Sequence, residues 1–237
     1  MCQSGADRLI LRPVAYMHSE FPAKFGLPRQ SGMVEELQAE ILFCEDFRNV
    51  DLLRGLTEFS HIWLLWGFSA IPPGQWSPTV RPPRLGGNAR RGVFATRSPF
   101  RPNPIGLSCV RLEEVRLQGP TGPRLRVSGA DLMDGTPIYD IKPYLPFTDS
   151  RPDACGGFAD AARGHLLEVE IPPELLPAIP PARLEALRAL LALDPRPAYQ
   201  DDPARIYGME FAGMTIRFTV SDQQLTVCEI LKNGLDK

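Results

Sequence analysis

Residues 105–117 read IGLSCVRLEEVRL. Leu107, Cys109 and Arg111 fall on one side of an extended chain, and Ser108, Val110 and Leu112 on the other. A period of two marks a strand with two different faces. Just upstream, SHIWLLWGF (60–68) is dense in aromatic and aliphatic residues and reads as a core strand. Further strands are expected at RLILRPVAYM (8–17), at the AEILFC end of 33–44, and at GVFAT (92–96), RLRVSGA (124–130) and IYDIKPYL (138–145). Leu52, Leu53 and Leu56 recur at helical spacing, so a short helix is expected within 48–59. Short strands separated by Gly/Pro turns, with few helices, imply a mainly β protein, a barrel or a sandwich.

The texture changes near residue 150. FTDSRPDACGGFADAARG (147–164) reads as a connection. A helix is expected over 181–193, opened by Pro180-Pro181, closed by Asp194-Pro195, and carrying Leu184, Leu187, Leu190 and Leu191 on one face. MEFAGMTIRFTV and LTVCEIL then read as a terminal hairpin. The expected division is a β domain over 1–152 and a small α+β domain over 153–237.

Composition narrows the chemistry. The chain has 237 residues, 43% hydrophobic and 23% charged, as in ordinary globular proteins. It lacks an apolar run of membrane-spanning length, and MCQSGADRLI does not have the pattern of a secretory leader. Five cysteines lie far apart with no CxxC pair, which fits a reducing, cytoplasmic setting better than a disulfide framework or a zinc site. There is no dinucleotide fingerprint, P-loop or nucleophile elbow. The three histidines, His18, His61 and His165, are scattered, which argues against a histidine-based metal site or triad.

Net charge is only −2, but it is unevenly distributed. No Asp or Glu occurs from Phe59 to Leu112, whereas Arg81, Arg84, Arg90, Arg91, Arg97, Arg101 and Arg111 do. RPPRLGGNARRGVFATRSPFRPNPIG (81–106) sets six of these arginines among prolines and glycines. The segment is either a solvated loop stiffened by proline or an anion grip. Guanidinium forks bind phosphate or carboxylate in bidentate fashion, and proline lowers the entropy cost of holding them in place. DLMDGTPIYDIKPYLPFTD (131–149) supplies Asp131, Asp134 and Asp140 around an Asp134-Gly135-Thr136 turn. These carboxylates suit ribose hydroxyls or an ammonium group, or else are solvated acids of a plain turn.

Taken together, FGLPRQSG (25–32), GLTEFSHIWLLWGF (55–68), residues 78–108, DLMDGTPIYDIKPYLPF (131–147) and DPRPAY (194–199) resemble the TrmO (TsaA/YaeB-like) tRNA methyltransferases. The resemblance spans about residues 8–150 and resumes at 194–199. It implies a single-sheet β-barrel with a small C-terminal domain, and transfer of a methyl group from S-adenosylmethionine. The acceptor would be N6 of threonylcarbamoyladenosine next to the anticodon of threonine tRNA. It also implies a homodimer. The cofactor site would comprise Pro28, Arg29, Gln30, Ser69, Ala70, Arg97, Leu107, Asp131, Asp134, Gly135 and Thr136. Arg90, Arg91, Arg101, Asn103 and Tyr199 would serve the tRNA. No metal is expected. A non-enzymatic RNA-binding β-barrel would use the same arginines without a cofactor.

Overall fold

The computed structural model describes residues 9–72, 74–82, 89–162, 166–196 and 202–233. In chain order the first strands are β1 (Ala15–His18), β2 (Gln38–Phe43), β3 (His61–Gly67), β4 (Thr79–Val80) and β5 (Arg91–Gly92). β6 (Ile105–Arg116), β7 (Arg124–Ser128) and β8 (Pro137–Pro143) follow. Among the described residues, β1-β2-β7-β6-β3-β8 close into an antiparallel barrel, while β4 and β5 form a small separate ribbon. Closure leaves no free edge in the main sheet.

The alternation read in 105–117 decides which residues fill this barrel. Ser108 and Val110 of β6 are buried, opposite Leu64 and Ile62 of β3, whereas Leu107 and Arg111 are exposed. The inward side chains Ala15, Met17, Ile41, Ile62, Leu64, Trp66, Val110, Leu125, Val127 and Ile138 form one core. A register shift between Leu112 and Glu114 changes the phase of the strand towards its end.

Several elements differ from expectation. The first strand begins at Ala15 rather than residue 8; Leu9 and Ile10 are exposed, and Pro13 has no N–H for a ladder. The expected helix within 48–59 is two 3-10 turns, Val50–Leu53 and Leu56–Glu58, parted at Gly55 (φ +82°). GVFAT forms a strand only at Gly92 and then a 3-10 turn, Val93–Ala95.

After the four-residue helix α1 (Pro146–Asp149) come β9 (Glu168–Glu170), α2 (Pro181–Ala192), β10 (Tyr207–Phe211), β11 (Met214–Ser221) and β12 (Gln224–Lys232). The expected terminal hairpin is a larger sheet, β10-β11-β12-β9, with β9 parallel to β12. β9 is too short to be conspicuous in sequence. Leu187, Leu190 and Leu191 of α2 pack with Phe211, Ile216, Phe218 and Val227 in a second core. Phe21, Val34 and Leu37, from the segment joining β1 to β2, enter this second core too. Glu20 extends the attachment through its ion pair with Arg183 of α2 (2.5 Å) and its carbonyl, which accepts from Ala212 N–H (3.2 Å).

Antiparallel neighbours run in alternate directions. The C-terminal ends of β1, β3 and β7 therefore share one rim with the N-terminal ends of β2, β6 and β8. That rim carries three connections: 19–37, 68–104 and 129–136.

Candidate active site

Every expected site residue within the described part of the chain lies on this rim. Pro28, Arg29 and Gln30 are in the first connection; Ser69, Ala70, Arg90, Arg91, Arg97, Arg101 and Asn103 are on the second. Asp131, Asp134, Gly135 and Thr136 are in the third, and Leu107 starts β6. Tyr199 lies outside the described residues.

The centre of the site is built on β6. Trp66 Nε1–H donates to Ser108 Oγ (2.9 Å), and Ser108 Oγ–H donates to Asp131 Oδ1 (2.6 Å). The chain runs from the barrel interior to the rim. Gly106 makes it possible, because its α-carbon lies against the Trp66 ring, where a Cβ would fall 2.3 Å from the nearest indole atom. Desolvation pushes the Asp131 carboxyl above its ordinary value. Hydrogen bonds from Ser108 and from the Asp131 and Ser31 backbones, and the Arg97 charge, pull the other way.

The first and second connections meet beside this carboxylate. Arg97 Nη1–H donates to Gln30 Oε1, and Gln30 Nε2–H donates to the Arg29 carbonyl. Ser31 Oγ accepts from Cys109 N–H of β6 (3.2 Å). Arg29 Nη2 donates to the carbonyls of Asp194 (3.2 Å) and Arg196 (3.3 Å).

The third connection folds onto β1. Asp134 Oδ1 takes His18 Nδ1 at 2.7 Å and Ser19 N–H at 3.0 Å. Gly135 N–H donates to Met17 O (2.8 Å), and Gly135 (φ +72°) has open space around its α-carbon. A ligand can approach the backbone closely there.

The remaining expected residues spread along the second connection. Ser69 and Ala70 form an exposed turn after β3, beside Phe68 N–H, which donates to Pro104 O (3.1 Å). Arg101 Nη1 donates to the carbonyls of Thr96 (3.0 Å) and Ser98 (3.4 Å), so Arg101 also braces its own loop. Arg90 and Arg91 are exposed at β5, and the Arg91 guanidinium lies 5.8 Å from the Phe158 ring centre. Asn103 is exposed, its carbonyl accepting from Ile105 N–H (2.8 Å). Exposed Trp76, Phe94 and Phe100 interleave with these arginines.

Most of the chain fits models of two consecutive domains. Residues 16–150 match the tRNA-methyltransferase O N-terminal domain, and residues 166–233 the TrmO C-terminal domain. The chain belongs to the TrmO family. It is 42% identical to the tRNA (adenine(37)-N6)-methyltransferase of Escherichia coli K12 over 217 residues, 88% of this chain and 92% of that one. It is 51% identical to the enzyme of the same name from Eikenella corrodens over 163 residues, 68% and 91% of the two chains. A crystal structure of TrmO from Pseudomonas aeruginosa covers 97% of this chain and all of its own, with 32% identity and a TM-score of 0.76. These TrmO relatives are methyltransferases by name, which lends the non-enzymatic RNA-binding alternative no support.

The reading from sequence missed the residues that hold others in place: Ser31, Trp66, Ser108, His18 and Arg196. Ser108 carried a signal, being polar at an inward position of an alternating strand. Among the described residues no group of His, Cys, Asp or Glu is arranged to hold a metal ion, and no helix is long and apolar enough to cross a membrane.

Proposed function

We propose that the chain methylates N6 of threonylcarbamoyladenosine next to the anticodon of threonine tRNA, with S-adenosylmethionine as donor. As a member of its family it is an S-adenosylmethionine-dependent tRNA methyltransferase. The observation that carries the finer reading is the shared rim, where a recessed carboxylate, an exposed apolar strand start and an acid-free arginine loop converge.

The rim suits this donor. Asp131 and Asp134 offer carboxylates to hydroxyl or ammonium groups, and Arg29 and Arg97 suit a carboxylate. Exposed Leu107 and the small Ser69-Ala70 turn can cover an aromatic face, with Pro28, Gln30, Gly135 and Thr136 shaping the wall. S-adenosylmethionine supplies an activated methyl group. The protein's task is then to align the acceptor nitrogen with it and exclude water. The alkylated nitrogen is strongly acidic, so a nearby oxygen acceptor or water suffices to take its proton. That is consistent with a rim poor in histidine.

Arg90, Arg91, Arg101 and Asn103, with Tyr199, are assigned to the tRNA phosphates and the threonylcarbamoyl carboxylate. Trp76, Phe94 and Phe100 offer surfaces on which unstacked bases of a single-stranded loop can rest. The proposal includes a cytoplasmic homodimer and a domain division at 152/153. The dimer is supported by Leu65, Ile105 and Leu107, adjacent on the outer face of β3 and β6. Sedimentation equilibrium yielding only the 26.3 kDa monomer would remove it.

Two substitutions separate the two halves of the rim. Asp134→Ala should weaken donor binding in calorimetry about tenfold, the loss expected for a charged contact. Arg101→Ala should leave donor affinity near wild type while lowering methylation of modified tRNA. Unchanged donor affinity in the first, or unchanged tRNA methylation in the second, removes that residue from its assigned role.

A further inference from the structure

The Asp194-Pro195-Arg196 corner follows the end of α2 and is assigned to neither donor nor tRNA above. Asp194 adopts the left-handed conformation (φ 52°), uncommon for a residue with a Cβ. Its carboxylate is held by the Arg196 fork, Nε to Oδ1 at 2.9 Å and Nη2 to Oδ2 at 3.0 Å. The Arg196 side chain is only 10% exposed. This bidentate pair locks three residues into a tight bend. The bend presents the carbonyls of Asp194 and Arg196 to a single nitrogen, Arg29 Nη2.

From Arg29 the connection continues to the rim. The Arg29 carbonyl accepts from Gln30, and Gln30 accepts from Arg97, whose charge acts on Asp131. The same segment is seated elsewhere on the C-terminal core: an added Cβ at Gly26 would fall 3.3 Å from Met209, and Phe21, Val34 and Leu37 are buried in that core. Two carbonyl acceptors on one nitrogen orient the guanidinium, so these contacts fix the direction of Arg29.

We propose that the Asp194–Arg196 pair is a positioning device for the donor site, acting through Arg29. The C-terminal domain then serves S-adenosylmethionine binding. The inference rests on the assignment of Pro28–Gln30 to the donor.

The test uses the full chain and calorimetric binding of S-adenosylmethionine. Asp194→Asn keeps a side chain tolerated in the left-handed region but loses the charge; Arg196→Lys keeps the charge but loses the fork. Each should weaken donor binding about tenfold, raising donor KM while kcat at saturating donor is maintained. The double variant Arg29→Ala/Arg196→Lys should bind donor no worse than Arg29→Ala alone, because both changes act on one contact. In the ligand-free protein, amide exchange over residues 26–31 should accelerate in both corner variants. Wild-type donor affinity and exchange in Asp194→Asn and Arg196→Lys, with binding weakened in Arg29→Ala, would overturn the positioning role and leave the donor site standing. Unchanged donor affinity in Arg29→Ala would overturn both. Loss of tRNA affinity alone in the corner variants would make the corner an RNA contact instead.

Discussion

Asp131 shows how the demands of folding and of the proposed donor site meet in one residue. Its carboxyl is raised above the ordinary 3.8 chiefly by desolvation. An acid whose native pKa exceeds its unfolded one costs stability as pH rises through that window, because the unfolded chain releases the proton first. The cost is fully present above the native pKa and absent below the ordinary carboxylate range. Asp131→Asn removes the charge and keeps an oxygen to accept from Ser108. Its melting temperature should exceed wild type by a few degrees at pH 7, with the gain vanishing in acid and donor binding lost. A lower melting temperature at pH 7 would show that the hydrogen bonds and the Arg97 charge outweigh desolvation. Residue types with strong chemistry, the arginines and the aspartates, were visible in the sequence. Their partners were not: Arg29 meets carbonyls 165 and 167 positions away, a relation without local trace.

At the scale of the element, β6 links barrel and site. Its even-numbered residues, Gly106, Ser108 and Val110, face inward and its start carries Leu107 on the rim. Gly106→Ala would drive a Cβ into the buried Trp66 indole, which cannot move without breaking its bond to Ser108. The expected cost is about 1–3 kcal/mol of stability, as for overpacked cores, accompanied by weaker donor binding. Denaturant unfolding indistinguishable from wild type would mean that the indole yields freely. The long strands β3 and β6 and the helix α2 were legible because burial on one face imposes a period. The 3-10 turns of 50–58 were not, because Leu52 is 61% exposed and helical spacing there reflects no continuous buried stripe. The two-residue strands β4 and β5 are set by pairing with each other rather than by any pattern of their own.

Across the whole molecule, an acidic-to-neutral protein concentrates positive charge in one acid-free connection and places it on the same rim as Asp131 and Asp134, the carboxylates proposed for the donor. Barrel topology causes the convergence: three connections far apart in sequence share an end because the strands between them are antiparallel. If Arg90, Arg91 and Arg101 meet phosphates, tRNA affinity should fall with salt along a log–log slope of about −2, as for three contacts to a single strand. A flat salt profile would place the arginine loop elsewhere than on nucleic acid. The most direct test of the central claim is transfer of labelled methyl from S-adenosylmethionine to threonine tRNA with and without its threonylcarbamoyl group. The account predicts label only on the modified tRNA, at the adenosine next to the anticodon. Label on neither tRNA from folded, donor-bound protein, or equal label on both, would contradict it.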